Sequence, residues 1–149
     1  MVGLLLCGCG AAETFERVED VMGTGGAPLP KKVVLDVPQG AQVIHGDSGR
    51  LYLCNGYEIA VETLSSGNLD GTMRSITGFG REALTVMETS VSEMNRYECA
   101  WSTTGEGGAS VARAAVIDDG AYHYCVTVIA PADQAGKLAN EWQSLFESL

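Results

Sequence analysis

Few residues in this chain could carry covalent or metal chemistry, and their spacing decides which of them could cooperate. His45-Gly46-Asp47-Ser48-Gly49 sets a serine among small residues with a histidine three positions before it. A serine becomes a nucleophile only with a histidine base at hydrogen-bond distance and a buried acid orienting that base. His123 is the only other histidine in the sequence. A tight turn between two strands explains the same residues without chemistry, so a serine hydrolase using Ser48 and His45 stands only as a runner-up. His45 and His123 could each ligate a metal, but a site needs three or four converging ligands. His123 has no carboxylate two positions away on either side. Asp118-Asp119-Gly120 carries half of a calcium loop and lacks its alternating acids and terminal glutamate. A hairpin turn accounts for it. The spacing therefore predicts no catalytic residue, no metal and no cofactor.

Two other residue sets could act without catalysis. Tyr52, Tyr57, Tyr97, Trp101, Tyr122 and Tyr124 recur at strand spacing. They could line a groove for a small ligand, although such residues more often form core and cross-strand pairs. The five cysteines are Cys7, Cys9, Cys54, Cys99 and Cys125. If the strands holding Cys99 and Cys125 flank a third, the two lie two strand spacings apart, about 9.5 Å. A disulfide needs Cα atoms within about 7 Å. Arg113 is expected between them. Three free thiols are expected at Cys54, Cys99 and Cys125, with a pairing of Cys54 to either of the others left open.

Cys9 has a different setting. Leu4-Leu5-Leu6 is followed by Cys7-Gly8-Cys9 and then by a polar stretch of small residues. Leu6-Cys7-Gly8-Cys9 resembles the lipobox of bacterial lipoproteins, with Cys7 as a departure at its second place. This predicts removal of residues 1–8 as a signal peptide and a diacylglyceryl group on Cys9. Export signals open with basic residues, whereas the first basic residue here is Arg17. The signal is therefore atypical or truncated, with the true start expected upstream. Several acyl chains, at about 0.8 kcal/mol per buried methylene, hold a protein on a membrane much better than one. The expected location is the outer face of the cytoplasmic membrane, reached by a lipid anchor and not by a spanning helix.

Charge excludes one class of partner. The 149 residues carry a formal net charge of −10. A nucleic-acid surface must be basic to neutralise phosphates, so no nucleic-acid partner is expected. The partners left are the membrane, through the anchor, and an envelope protein or small ligand.

The elements that would position these residues follow from periodicity. Glu13 to Met22 reads as a short amphipathic helix through Phe15, Val18 and Met22. Gly23 to Pro30 reads as a linker, and its Pro28 and Pro30 rule out a phosphate-binding glycine loop. Residues 9–30 thus form a lipidated arm and residues 31–149 a single domain. Strands are predicted over 32–37, 41–45, 50–54, 57–64, 84–91, 96–103, 110–117 and 122–129. Asn55-Gly56 is a strong hairpin signal. Tyr57, Ile59 and Val61 should share a face, as should Tyr97, Cys99 and Trp101. Leu69, Met73, Ile76 and Phe79 predict a helix with Asn68 near its cap. Leu138, Trp142, Leu145, Phe146 and Leu149 predict a C-terminal amphipathic helix with Asp133 as its cap. Antiparallel strands with helices at fixed places make an α+β fold.

Three stretches, in order, resemble PsbP-like lipoproteins: Thr77-Gly78-Phe79 before Leu84 to Thr89, Tyr122 to Ile129 running into Ala130-Pro131-Ala132-Asp133, and the terminal helix closing on Trp142 to Phe146. The superfamily is named for an extrinsic photosystem II subunit and also contains a Ran-binding import factor and bacterial surface lipoproteins. The resemblance covers residues 31–149. It implies a central antiparallel sheet with helices on both faces and a non-catalytic binding or assembly module. It carries over no site residue, and nothing in this sequence points to photosynthesis or Ran.

Overall fold

The last three predicted strands run without interruption in the sequence, and they form the broad part of the sheet. The computed structural model describes residues 11–14, 34–47, 49–65, 67–91 and 93–149. β1 (Ala11–Thr14) pairs antiparallel with β2 (Val34–Val37) as a two-stranded sheet. The main sheet contains β3 (Gln42–His45), β4 (Gly49–Leu53), β5 (Glu58–Ser65), β6 (Met87–Val91), β7 (Met94–Gly105), β8 (Gly108–Asp118) and β9 (Tyr122–Pro131). Its seven strands run β3-β4-β5-β9-β8-β7-β6, and every neighbouring pair is antiparallel. α1 (Leu69–Thr77) follows β5, and α2 (Ala135–Glu147) follows β9. The fold is thus α+β, with two helices on an antiparallel sheet.

Local chemistry explains the boundaries. Asn55-Gly56 turns β4 into β5, with Gly56 at φ +86°, a conformation that favours glycine. Asn68 caps α1 by accepting from the Gly71 N–H at 3.2 Å, and Gly78 closes the helix in the left-handed region. Two expectations fail here. Glu13 and Thr14 are extended in β1, because their backbone pairs with Leu35 and Val34, so a helix from Glu13 to Met22 does not form as predicted. The rest of that segment, residues 15–22, lies outside the described residues. Asp133 does not cap α2: it sits in a 3-10 turn, Ala132–Gln134, and Gln134 precedes the helix without a side-chain cap. β6 also starts late, at Met87, because a 3-10 turn at Arg81–Ala83 leads into Leu84 and Val86, which pack on the core as loop residues.

The core divides into two clusters. Leu138, Trp142, Leu145 and Phe146 of α2 pack with Ile59, Val61, Ala115, Ile117, Tyr124, Val126 and Val128. Met73 of α1 packs with Tyr97, Cys99, Ala114, Val116 and Cys125. Successive β8 residues alternate between the clusters, as the period of two requires. Tyr57, Ile59 and Val61 are buried together, as the alternation predicts.

The end of α2 is fixed electrostatically. The Arg96 Nη2 donates to the Phe146 carbonyl at 2.7 Å, and a cation at a helix C-terminus is favoured by the backbone dipoles. Glu98 lies 3.3 Å from Arg96 and 2.9 Å from Arg113, and the Arg113 guanidinium stacks 4.3 Å from the Phe146 ring centroid. Phe146→Ala should therefore cost about 3–5 kcal/mol through the cavity it leaves. Urea unfolding should show a lower midpoint at an unchanged slope.

Candidate functional site

Two clefts meet at Tyr57. One, of about 430 Å³, lies at the tip of the β4–β5 hairpin and is lined by Leu53, Cys54, Tyr57, Ser110, Ile129 and Pro131 among others. The other, of about 580 Å³, lies between β2 and α2 and is lined by Asp36, Val37, Pro38, Tyr57, Glu141, Ser144 and Leu145. The Tyr57 ring meets Trp142 edge-on, with centroids 6.0 Å apart, so the wall between the clefts rests on the core. Its hydroxyl donates to Glu141 Oε1 at 2.8 Å. Burial, and then this bond to a carboxylate, push the Tyr57 phenol far above its ordinary range. It is a fixed donor, not a base. A third cleft of about 360 Å³ lies against β3 and includes Tyr52 and His45.

Ser48 lies outside the described residues. His45 is exposed on β3, opposite Arg50 in β4. Gly49 has a structural reason to be glycine: a β-carbon there would overlap the Val61 carbonyl oxygen of β5. The glycine needed by the serine motif is thus explained by close strand approach. Cys9 and the whole of residues 1–10 lie outside the described residues.

Cys54, Cys99 and Cys125 are free thiols. Cys99 pairs in register with Ala114, and Cys125 with Val116, so β8 does separate them. Arg113 is not the residue between them. It pairs with Ala100 and Val128 and its side chain lies with Glu98 and Phe146, since β8 alternates and Ala114 and Val116 take the cysteine face. Burial pushes all three thiols up, most strongly Cys125, where the Glu62 charge adds to it. Of the six aromatic candidates, Tyr57 and Tyr52 line clefts. Tyr97, Tyr122 and Tyr124 are buried in the clusters, and Trp101 packs half-buried against one.

His123 is 1% exposed and its ring is held at both ends. Nδ1 lies 2.7 Å from the Thr72 hydroxyl of α1, and Nε2 lies 3.4 Å from the Asp118 carboxylate across the β8–β9 hairpin. Asp118 also accepts from the Gly120 N–H, while Asp119 accepts from the backbone of Ala121 and Tyr122 and from the Tyr124 hydroxyl. The turn is thus built by its carboxylates, as the hairpin reading of Asp118-Asp119 required. Hydroxyl, imidazole and carboxylate line up as in a hydrolase, but the three clefts above do not reach them. The set ties α1 to the hairpin. Sequence spacing alone hides it, because Thr72 is 51 residues from His123.

Among the described residues no group of three or more His, Cys, Asp or Glu side chains converges on a metal, and no helix is long and apolar enough to cross a membrane. Neither a family model nor a curated protein matches the sequence. The likeness is one of shape. The solution structure of CyanoP, the cyanobacterial PsbP of Synechocystis sp. PCC 6803, superposes with a TM-score of 0.64 over 99% of this chain and 95% of its own, at 8% identity. The fold is PsbP-like. LpqN, involved in cell envelope biogenesis of Mycobacterium tuberculosis, matches at a TM-score of 0.51 and 13% identity, over 92% of this chain and 88% of its own. PA94 of Pseudomonas aeruginosa, a protein of unknown function, matches at 0.51 and 11% identity, over 94% and 96%. At such identities a PsbP-like chain shares fold alone with these proteins.

Two measurements check this account. Thr72→Val leaves a buried imidazole nitrogen without its partner and should cost about 1–3 kcal/mol, with α1 amides losing hydrogen-exchange protection before the sheet does. The raised thiols give a pH dependence. The folded chain holds these protons more tightly than the unfolded chain, so unfolding releases them above the ordinary thiol value of 9.0. Stability is therefore complete below that value and falls as pH rises past it. The urea midpoint should drop across the thiol range, and Cys125→Ala should flatten the drop.

Proposed function

We propose that this chain is a lipid-anchored, non-catalytic binding or accessory module of the bacterial cell envelope. The observation that carries the reading is the fold likeness to CyanoP over nearly the whole chain. The likeness to LpqN, whose description places that protein in cell envelope biogenesis, supports an extracytoplasmic role. The lipobox-like Leu6-Cys7-Gly8-Cys9 supports an anchor on the outer face of the cytoplasmic membrane. The reading includes a helix on each side of the sheet. It is supported by the alternation along β8, where Ala115 and Ile117 cluster with α2 and Ala114 and Val116 with α1.

A second reading, a small-ligand carrier, is favoured by the two clefts that share the Tyr57 wall. One experiment addresses both. Intact mass of the protein from host membranes should show loss of residues 1–8 and a diacylglyceryl group, both absent from a Cys9→Ser variant, which should leave the membrane fraction. An unmodified soluble product would remove the anchored reading. Native mass spectrometry of the same sample should show a bound small molecule, reduced in Tyr57→Ala, if the carrier reading holds.

A further inference from the structure

Among the described residues, α1 and the loop after it leave part of the sheet face that carries α1 open. Met73 seats α1 over Cys99, Val116 and Cys125, toward β7. On the same face the register sets two largely apolar rows that run toward β3. One runs from Trp101 through Ala112, Ile129 and Glu58 to Leu53, and the other from Ala114 through Thr127, Ala60 and Leu51 to Ile44. Trp101, Ile129, Leu53, Leu51 and Ala60 are only half-buried, and Ile44 is 52% exposed.

The charges on this face have one sign. Glu58 stands in the first row, between Ile129 and Leu53, and Glu62 stands opposite Cys125. Among the described residues neither forms an ion pair. No strand contributes a Lys or Arg to this face, and the nearby Arg74 and Arg81 pair with Glu82 and Asp70. An apolar strip bordered by unpaired carboxylates selects a partner that is apolar on one side and cationic at its margin. A second copy would set Glu58 and Glu62 against themselves in a molecule of net charge −10, and an anionic bilayer would be repelled for the same reason.

We infer that the part of this face left open among the described residues, from Ile44 to Trp101, docks a basic amphipathic helix of a partner protein, completing the layer that α1 begins. Apolar residues at three- and four-residue spacing would lie on the strip, and flanking Lys or Arg would reach Glu58 and Glu62. This deepens the binding-module reading and rests on it.

The test uses a synthetic Leu/Lys amphipathic helix as probe and a Leu/Glu helix with the same apolar side as control, with calorimetry for affinity and amide chemical shifts for location. The Leu/Lys helix should bind and move amides around Leu51, Ala60 and Ile129. Glu58→Lys with Glu62→Lys should weaken binding roughly tenfold or more. Asp133→Lys with Glu147→Lys, which changes net charge equally on the α2 side, should not. Equal binding of the two helices, equal loss in the two double variants, or shifts confined to the cleft between β2 and α2 would overturn the inference. Cross-linking in the host separates the two levels. A partner still captured by Glu58→Lys with Glu62→Lys overturns this surface and leaves the binding-module reading standing, whereas an unlipidated chain that captures none counts against that reading itself.

Discussion

Strand β9 is buried on both faces, and the fold is arranged around that condition. Its neighbours β5 and β8 take up its backbone groups, while Tyr124, Val126 and Val128 face one cluster and Cys125 the other. A slip of one residue would exchange the two cores at once. Such a strand leaves no room for an unsatisfied polar group, because an unpaired buried donor or acceptor costs about 1–3 kcal/mol. His123 and Tyr124 bring buried polar atoms to β9, and these find partners, His123 in Thr72 and Asp118 and Tyr124 in Asp119. The His123 ring ties the seat of α1 to the β8–β9 turn.

The opposite cluster handles charge by a different route. Arg96, Glu98 and Arg113 are drawn under α2, where the Phe146 carbonyl and ring take the surplus positive charge. Arg96 Nε and Trp142 Nε1 are also buried there, with no hydrogen-bond partner among the described residues. This packing also shapes the exterior. The chain has nine Lys and Arg residues in all, and two of them are engaged inside. The outer surface is therefore more acidic than the net charge alone conveys.

The strands of the main sheet and both helices were legible because period two and period three-to-four are direct consequences of burial. Asn55-Gly56 and Asn68 marked their elements correctly for the same local reason. What depended on distant contacts was not legible. Glu13 has helical neighbours in sequence but a strand partner in Leu35. Asp133 has the right side chain for a cap, yet a 3-10 turn precedes the helix and moves the cap position past it. The clefts at Tyr57 needed Glu141, which is 84 residues away, and the imidazole set needed Thr72. Arg113 was assigned to the wrong side of β8 because alternation fixes faces only relative to a known neighbour. His45 and Ser48 drew attention through a local string, whereas Gly49 is there for the Val61 carbonyl.

The strand order has a kinetic consequence. β5 finds its second partner only in β9, with Glu58 opposite Ile129. The β3–β4–β5 meander can pair within itself early, but its inner edge stays open until the last strand has been synthesised. Contacts that distant in sequence are slow to form, and an open edge invites other strands to pair with it. A chain built this way cannot close its sheet from its first half.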